Sequence, residues 1–356
     1  MNADNSLNTD GIILLAKTPG LTSFTSLNSI KKALGTTKVG HTGTLDSFAQ
    51  GLLVVCTGRL TRLAGKIIEF DKEYKAVLKF GEETDTLEYT GKVIKKTDLP
   101  TVQALEEAVK KFSGTFMQKP PVFSAIHVDG KRASDLMRSG QEAELPSRQV
   151  TVYKSAIKEV KTNEQGLVEY ALIDFEVSKG TYIRSLARDI AAECNSSACL
   201  AGLYRTRVGH FTVENSAGFD RIQKFTIENA VAEMERQLVF EKEKAKEKEE
   251  RRDKKERKPY ILDAAELKLQ EEIRQKKQDV TEDCAQLCGF EIIHLKDSLG
   301  KADFENGRPL RSKLFDKDLH SLPVNSITAV FSCENSFSGL IDKDENGRIH
   351  YRFVIN

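Results

Sequence analysis

The order of apolar and polar residues along the first 230 positions predicts a mixture of strands and helices. Continuous runs of apolar residues are typical of buried strands, and strict alternation of apolar and polar residues is typical of half-buried strands. Apolar residues spaced three to four positions apart are typical of amphipathic helices. The predicted strands cover residues 11–17, 51–56, 72–80, 168–178 and 207–213, and the predicted helices cover 23–33, 101–112 and the segment after Gly180. The elements follow no regular βαβ rhythm, so the pattern predicts an α+β fold.

A segment near residue 250 differs in composition from the rest of the chain. Residues 241–258 contain ten basic side chains and a single apolar residue, Ala245. Such a run cannot bury a face, so it is either a solvated helix or a disordered linker, and its basic residues leave an RNA-contacting arm as another interpretation. Asp263 is predicted to cap a second helix. The predicted organisation is a domain at 1–230, a charged helical or disordered connector at 231–285 and a domain at 286–356.

The charge balance is uneven along the chain. The whole sequence of 356 residues has 54 basic and 53 acidic side chains, a net charge of +1 that by itself argues against nucleic-acid binding. Residues 31–79, however, carry nine basic and four acidic side chains, whereas residues 281–356 have a net charge of −3. The basic stretch favours contact with a phosphate backbone.

Several classes of protein and site find no support in the sequence. No run of about 18 apolar residues predicts a membrane span, and the apolar run at 12–16 is too short for a signal peptide. Six cysteines without dense spacing indicate reduced thiols, and therefore a cytoplasmic protein. The cysteine pairs 194/199 and 284/288 lack a nearby histidine, so we expect no metal site. No phosphate-binding glycine motif occurs, so we expect no nucleotide cofactor.

The loop GHTGTLDSFAQG, residues 40–51, carries the first candidate for chemistry. Its glycines and hydroxyl residues are typical of a sharp turn or of backbone that lies close to a ligand. Asp46 is its only carboxylate, and it either caps a turn or is presented to a cleft. Arg184, in the first turn of a predicted helix, is either an ordinary surface residue or the partner that keeps Asp46 ionised.

Three more residues are candidates for contact with RNA. Tyr74 lies on the apolar face of a predicted strand, where it either packs in the core or stacks on a base. Lys179 and Arg188 flank Arg184 and are suited to binding phosphates.

Six motifs, in order between Gly11 and Val213, resemble those of the bacterial tRNA pseudouridine synthases that modify uridine 55 in the TΨC arm. They are GIILLAKTPGLTS, VGHTGTLDSFAQGLLVVCTG, KEYKAVLKFGEETDT, QKPPVFSAIHVDGKRASDLMRSG, SKGTYIRSLARDI and LAGLYRTRVGHF. The resemblance implies a mixed-sheet catalytic domain that converts uridine to pseudouridine after base flipping, without a cofactor. The final strands resemble a small β-rich, PUA-like RNA-binding domain.

The resemblance also implies roles for individual residues. Asp46 would be the catalytic aspartate, with Tyr74, Arg184, His41 and Leu203 supporting the active site. The residues that would bind RNA are Lys17, Lys179, Arg188 and Arg205. The sequence departs from the family pattern at four positions that concern loop rigidity and peripheral contacts: Thr18, where the expected proline comes one residue later as Pro19, and Ser47, His127 and Ser134.

The expected partner is therefore tRNA, through its T-arm stem-loop, with no membrane, no small-molecule cofactor and a monomeric enzyme. The alternative is a non-catalytic protein that binds or folds tRNA on the same scaffold. A further alternative keeps the enzyme but changes the substrate to another stem-loop RNA or to guide-directed sites.

Overall fold

The computed structural model describes residues 9–124, 127–128, 131–132, 145–250 and 263–355. Ser134 and residues 251–258 of the predicted connector lie outside this part of the chain. The strands are β1 (Gly11–Lys17), β2 (Val39–His41), β3 (Gln50–Thr57), β4 (Lys72–Phe80), β5 (Glu82–Thr84), β6 (Val93–Lys96), β7 (Gly114–Gln118), β8 (His127–Val128), β9 (Lys131–Arg132), β10 (Arg148–Thr162), β11 (Val168–Val177), β12 (Ala198–Val208), β13 (Phe211–Thr212), β14 (Glu291–His294), β15 (Ser326–Phe331), β16 (Phe337–Lys343) and β17 (Ile349–Val354).

Several of the helices begin directly after a residue whose side chain caps them. They are α1 (Ser23–Leu34), α2 (Ala64–Ile67), α3 (Val102–Lys111), α4 (Ile183–Glu193), α5 (Ile227–Glu250), α6 (Ala264–Gln275), α7 (Glu282–Leu287) and α8 (Ser298–Glu305). Thr22, Thr101 and Asp263 each accept a hydrogen bond from the backbone N–H three residues later, which satisfies one of the free donors of the first turn. The predicted cap at Asp263 is therefore confirmed.

One large sheet organises the first 230 residues. Its strand order is β1-β3-β12-β4-β11-β10-β7, with β2 added to β3 and β13 to β12. The pair β3–β12 is parallel, whereas the other pairs along the sheet are antiparallel. The predicted α+β fold with a mixed sheet is confirmed. The strands β3 and β12 pair only at Tyr204–Gln50 and Arg205–Gly51 before they separate.

Helices cover both faces of this sheet. Leu203 and Arg205 of β12 lie opposite Ala76 and Tyr74 of β4 in the ladder, so these four side chains share one face. Gly202 points to the other face, where a Cβ atom would lie 2.8 Å from Cβ of Ala230 in α5. This glycine therefore lets α5 pack directly on the sheet.

One strand prediction needs correction. The sequence predicts a strand at 207–213, but β12 begins at Ala198 and ends at Val208, and the chain turns at Gly209 into the short β13. The first half of β12 reads ACLAG, in which small residues replace the β-branched and aromatic residues typical of strands. Burial between packed elements, rather than intrinsic propensity, makes this segment a strand.

The C-terminal residues form a separate sheet domain with the order β14-β15-β16-β17. Phe304, Phe315 and Ile341 are buried between this sheet and its own helices and loops. Phe331, Phe337 and Phe353 instead join a cluster with Leu60 and Leu63 of the large domain. The C-terminal domain is thus packed on the body of the protein.

Two arginines of the basic stretch 31–79 reinforce this packing. Arg59 Nη1 donates to the carbonyl of Val354 at 3.0 Å, and the Arg62 guanidinium lies 5.5 Å from the ring centroid of Phe353. These side chains are therefore directed at the C-terminal domain.

Part of the predicted connector packs against the large domain. Leu269 and Ile273 of α6 lie in a cluster with Ile13 of β1 and Ile30 of α1. The segment after α6 continues along β1, because Ile12 and Gln278 exchange backbone hydrogen bonds at 2.8 and 2.9 Å. Helix α5 ends at Glu250 in the described part of the chain. The domain boundaries themselves remain a prediction.

The described residues contain no helix that is long and apolar enough to cross a membrane. Within the same residues, no group of three or more histidine, cysteine or acidic side chains is arranged to hold a metal ion.

The packing of α6 leads to a test of stability. Ile273→Ala should lower the free energy of unfolding by about 2–5 kcal/mol, because it removes a fully buried side chain from the cluster with β1. Leu267→Ala, on the same helix but with Leu267 53% exposed, should change it by less than about 0.5 kcal/mol. Urea unfolding followed by circular dichroism measures both. Equal effects would mean that α6 is a detachable spacer.

Candidate active site

The loop that carries Asp46 has no regular secondary structure, and side chains from other elements fix its backbone. Ser23 Oγ donates to the carbonyl of Leu45 at 2.9 Å and accepts from its N–H at 2.8 Å. The N–H of Gly20 donates to the carbonyl of Ser47 at 2.8 Å. A short turn, closed by the Ala49 N–H on the Asp46 carbonyl at 3.1 Å, then leads into β3. These hydrogen bonds fix the backbone of the Asp46 loop relative to α1 and β3.

Lys17 supplies further donors to this loop from the end of β1. Its ammonium contacts the carbonyl oxygens of Ala49 at 2.6 Å, Thr18 at 3.1 Å and Ser47 at 3.2 Å. The side chain is almost completely buried. Burial lowers the pKa of Lys17 to about 7, and the Asp46 carboxylate acts in the opposite direction.

Arg205 fixes the first half of the loop in the same way. Its guanidinium donates to the carbonyls of Leu52 at 2.8 Å, Gly43 at 3.2 Å and Thr44 at 3.4 Å. Gly51, which pairs with Arg205, has a φ of +116°, and a Cβ atom there would lie 2.3 Å from the Arg205 carbonyl oxygen. Glycine is therefore required where β3 meets β12.

Lys17 and Arg205 are expected from the family resemblance to contact RNA. Here both side chains are buried and their donors are directed at backbone carbonyls, and RNA contact by these two residues stays a prediction. The loop lacks a strand or helix partner for these carbonyls, so cations take that place. As placed, Lys17 and Arg205 position Asp46.

Asp46 and Arg184 form a two-point ion pair. Arg184 Nε lies 3.1 Å from Asp46 Oδ2, and Arg184 Nη2 donates to Oδ1 at 3.2 Å. The Arg184 side chain is 7% exposed and that of Asp46 is 31% exposed. Arg184 also donates to the carbonyls of Thr86 at 2.9 Å and Phe123 at 3.0 Å. The pair therefore presents a carboxylate of fixed orientation that a ligand can still reach.

The N-terminus of α4, which carries Arg184, is fixed by a side chain of β7. Gln118 accepts from the N–H of Tyr182 at 2.9 Å and donates to its carbonyl at 3.1 Å. This side-chain clamp ties the helix N-terminus to β7. Arg184 therefore points at Asp46 from a defined backbone position.

Tyr74 and Leu203 lie together beside the loop. They belong to the same face of neighbouring strands, with Leu203 opposite Ala76 and Tyr74 two positions away from Ala76. Leu203 is buried, Tyr74 is half-buried, and both contact the cluster that includes Leu45 and Phe48 of the Asp46 loop. An aromatic ring and an aliphatic side chain thus flank the loop that presents the carboxylate.

His41 occupies the opposite end of the loop, at the last position of β2. It is half-buried, and its Nδ1 accepts from the N–H of Gly43 at 3.4 Å. Burial, and then the charge of Arg205, lower the pKa of His41, so its imidazole is neutral at pH 7. A neutral ring is suited to stacking or to hydrogen bonding rather than to pairing with a phosphate.

Lys179 and Arg188 lie at the two sides of Arg184 along the chain. Lys179 is exposed and pairs with Glu69 at 3.2 Å. Arg188 pairs with Asp189 at 2.7 Å and donates to the carbonyl of Lys119 at 3.2 Å. Both are accessible enough to exchange these partners for phosphate oxygens.

Glu88 is a further residue of this site that the sequence analysis missed. It lies in the turn whose Thr86 carbonyl accepts from Arg184, and Thr90 Oγ1 donates to its carboxyl at 2.8 Å. Burial, and then the negative charge of Asp46, raise the pKa of Glu88 to about 7, while Arg184 lowers it. The available signal was a second run of hydroxyl and acidic residues, TDTLEYTG, directly after β4 and β5.

The two carboxyl groups therefore differ in their environments. Asp46 is fixed by a bidentate guanidinium, whereas burial, and then the charge of Asp46, raise the pKa of Glu88 to about 7. The arrangement therefore presents one carboxylate, that of Asp46, to a ligand, next to the side chains of Tyr74 and Leu203 on which a ring could stack.

Comparisons with known proteins agree with this arrangement. A family model described as "TruB family pseudouridylate synthase (N terminal domain)" matches residues 31–183. The protein named tRNA pseudouridine synthase B of Treponema denticola is 46% identical over 234 residues, which cover 62% of this chain and 66% of that protein. The protein of the same name from Borreliella burgdorferi is 42% identical over 221 residues, which cover 61% and 76%, respectively.

The whole fold is also similar to solved structures. The crystal structure of a Cbf5–Nop10–Gar1 complex contains a chain that superposes with a TM-score of 0.57 at 23% identity, over 97% of this chain and 84% of that one. The archaeal box H/ACA sRNP Nop10–Cbf5 complex gives a TM-score of 0.56 at 22% identity. At this level of identity the similarity describes the fold.

The raised pKa of Glu88 makes stability depend on pH. Between pH 4.5 and about 7 the folded protein keeps a proton that the unfolded chain releases, so ionisation of Glu88 destabilises the fold as the pH rises. Glu88→Gln cannot ionise. The free energy of unfolding of Glu88→Gln minus that of the wild type should therefore increase by about 1–3 kcal/mol from pH 5 to pH 8.

Urea unfolding at the two pH values measures this difference. Glu106→Gln, on the exposed face of α3, serves as the control, and its difference from the wild type should be the same at both pH values. A difference for Glu88→Gln that does not change with pH would contradict the assignment.

Proposed function

Because this chain belongs to the TruB family of pseudouridylate synthases, we propose that it isomerises uridine to pseudouridine in tRNA. The observation that carries the proposal is the bidentate pair of Asp46 and Arg184 beside Tyr74 and Leu203. The reaction breaks the N1–C1′ bond of uridine, turns the uracil and joins C5 to C1′. A proton leaves C5 and one is added to N1, so no redox change occurs.

Asp46 acts at the sugar in this proposal. Its carboxylate faces C1′ or a proton of the sugar, and uracil is itself a competent leaving group, so one carboxylate is sufficient. Glycosidases use a carboxylate at a similar oxocarbenium-like centre but need a second carboxyl group as acid and base. Arg184 keeps the Asp46 carboxylate aimed, because its buried guanidinium contacts both carboxylate oxygens.

The target base has to leave the RNA stack before it reaches Asp46, at a cost of about a few kcal/mol. Tyr74 stacks on the uracil and assists loss of the C5 proton, and Leu203 packs against the same base. His41, neutral at pH 7, fills or stabilises the rearranged RNA loop. These roles follow from the family resemblance and from the shared position of the residues around the Asp46 loop.

We further propose that the substrate is the T-arm stem-loop and that the target is uridine 55. Lys179 and Arg188 bind phosphates at the rim of the site, since both are accessible and cationic. The C-terminal sheet is a PUA-like domain that contacts RNA at few points, because its packing on the body uses part of its surface. The domain organisation is that predicted from the sequence, and the enzyme works as a cytoplasmic monomer.

The role of Asp46 leads to a clear-cut test. Asp46→Asn should lower pseudouridine formation in unmodified tRNA by at least about a thousandfold, because the amide cannot act as base or nucleophile. Its affinity for tRNA should stay close to that of the wild type, since the substitution is isosteric. Pseudouridine mapping and filter binding measure the two quantities.

Asp342→Asn, in the C-terminal sheet, is the matched control and should retain full activity. Substantial conversion by Asp46→Asn would show that another group performs the chemistry. If the wild type binds tRNA and forms no product in any tRNA, the chain is a binding protein instead.

The choice of target is tested with the RNA. Pseudouridine should appear at position 55 of an unmodified transcript and should be abolished when that uridine is replaced by cytidine. Replacing a neighbouring uridine of the same loop should leave modification of position 55 detectable. Product at other positions of the transcript would mean that the enzyme recognises a different RNA element.

A further inference from the structure

Gln118 is a polar side chain that is completely buried next to the candidate active site. It is the last residue of β7, and none of its surface is exposed. The sheet sets its position, because Gln118 pairs with Arg148 of β10 in an antiparallel register that extends back to Gly114. The family resemblance implies no role for Gln118, although it is the first residue of the fourth ordered motif. A buried amide in this place requires hydrogen-bond partners.

The amide of Gln118 finds both partners on one residue at the start of α4. Its Oε1 accepts from the N–H of Tyr182 at 2.9 Å, and its Nε2 donates to the Tyr182 carbonyl at 3.1 Å. Tyr182 is the N-cap residue of α4, and its own side chain makes no capping hydrogen bond. In a capping box, a Glu or Gln of the first helical turn accepts from the N–H of the N-cap residue. Here a glutamine from a strand far away in the sequence takes that place.

The residues that follow Gln118 run along α4. The carbonyl of Lys119 accepts from Arg188 Nη2 at 3.2 Å, and the carbonyl of Phe123 accepts from Arg184 Nη2 at 3.0 Å. Two buried prolines lie between these carbonyls, and each fixes its φ at about −65°. One stiff segment that begins at Gln118 therefore contacts α4 at its N-cap and at two arginines one turn apart.

The geometry of the ion pair depends on where α4 places Arg184. Lys17, Ser23 and Arg205 hold the loop of Asp46 independently of α4. Arg184 follows the residue that Gln118 clamps by two positions, and its Nε and Nη2 lie 3.1 and 3.2 Å from the two carboxylate oxygens. Two parallel hydrogen bonds require the guanidinium to have both the right position and the right orientation. A displaced helix start would therefore weaken this pair.

We infer that Gln118 is a positioning residue for the reaction, which acts through the N-terminus of α4 on the orientation of Arg184 and so on the Asp46 carboxylate. The N–H of Tyr182 is the group that depends on Gln118, because the Tyr182 carbonyl also accepts from the N–H of Leu186 at 3.0 Å. The effect on turnover rests on the proposed function, whereas the effect on the geometry of Arg184 does not.

Three substitutions separate the hydrogen bonds of Gln118 from its volume. Gln118→Met keeps the length of the side chain and removes the amide. Gln118→Glu keeps an acceptor for the Tyr182 N–H, and a carboxylate at a helix N-terminus is favourable. Gln149→Met is the matched control, because Gln149 is exposed on β10 and lies opposite Met117 of β7 in the ladder.

Steady-state kinetics with unmodified tRNA provides the first measurement. Gln118→Met should lower kcat for pseudouridine formation about ten- to a hundredfold, because a small misplacement of a positioned group has an effect of this size. Its KM should stay within about threefold of the wild type, since the substituted side chain does not face the RNA. Gln118→Glu and Gln149→Met should keep both constants within about threefold of the wild type. Circular dichroism verifies that each variant is assayed below its unfolding transition.

Nuclear magnetic resonance of the full-length protein without RNA provides the second measurement. The Nε–H signal of Arg184 reports the ion pair directly, and Arg184→Lys identifies this signal by its loss. The signal should shift in Gln118→Met and should keep its position in Gln118→Glu and Gln149→Met. A residue that only stabilised the fold would change neither this signal nor kcat in a folded variant.

If Gln118→Met does not fold, Gln118→Asn takes its place with the same expected results, because its amide is shorter by one methylene. An unchanged Arg184 signal in the folded variant would overturn the inference. So would a kcat within about threefold of the wild type, or a rise in KM alone. A wild type that forms no pseudouridine would contradict the proposed function, and the Arg184 signal would still decide whether Gln118 positions Arg184.

Discussion

The active-site loop has to satisfy its backbone carbonyls without a strand or helix of its own. A buried carbonyl without a donor costs about 1–3 kcal/mol, so the loop around Asp46 is stable only if other elements provide donors. Lys17 from β1, Ser23 from α1 and Arg205 from β12 provide them. The position of Asp46 therefore depends on three separate elements, and the ion pair with Arg184 depends in turn on that position.

Because of this requirement, some of the basic residues serve as hydrogen-bond donors inside the protein rather than as surface charges. Lys17 and Arg205 are cations whose donors are used inside the protein, and Lys72 likewise contacts the carbonyls of Ile68 and Phe70 at 2.5 Å. Arg59 is directed at the C-terminal sheet. A surplus of basic residues in a sequence segment counts charges but does not show which of them face solvent. Lys179 is exposed and Arg188 is partly exposed, so these two cations next to Arg184 in the chain do reach the surface.

The site also separates two carboxyl groups by their surroundings. Asp46 keeps a bidentate partner and remains reachable, whereas burial, and then the charge of Asp46, raise the pKa of Glu88 to about 7. Arg184 contacts both oxygens of Asp46 and also donates to the carbonyls of Thr86 and Phe123, so the ion pair is tied to two further segments of the chain.

The sequence by itself determined the local structure wherever short-range physics decides it. Alternation defined β4, continuous apolar residues defined β1, and cap residues placed the starts of α1, α3 and α6. The ordered motifs identified the family, and they selected Asp46 and Arg184 as a pair, which the structure brings to 3.1 Å. Only the tertiary structure decided that the small-residue segment of β12 is a strand, that Lys17 and Arg205 point inwards, and that Glu88 belongs to the site. These features arise from contacts between residues far apart in the chain, and burial and long-range charge are properties of the assembled fold that no local pattern contains.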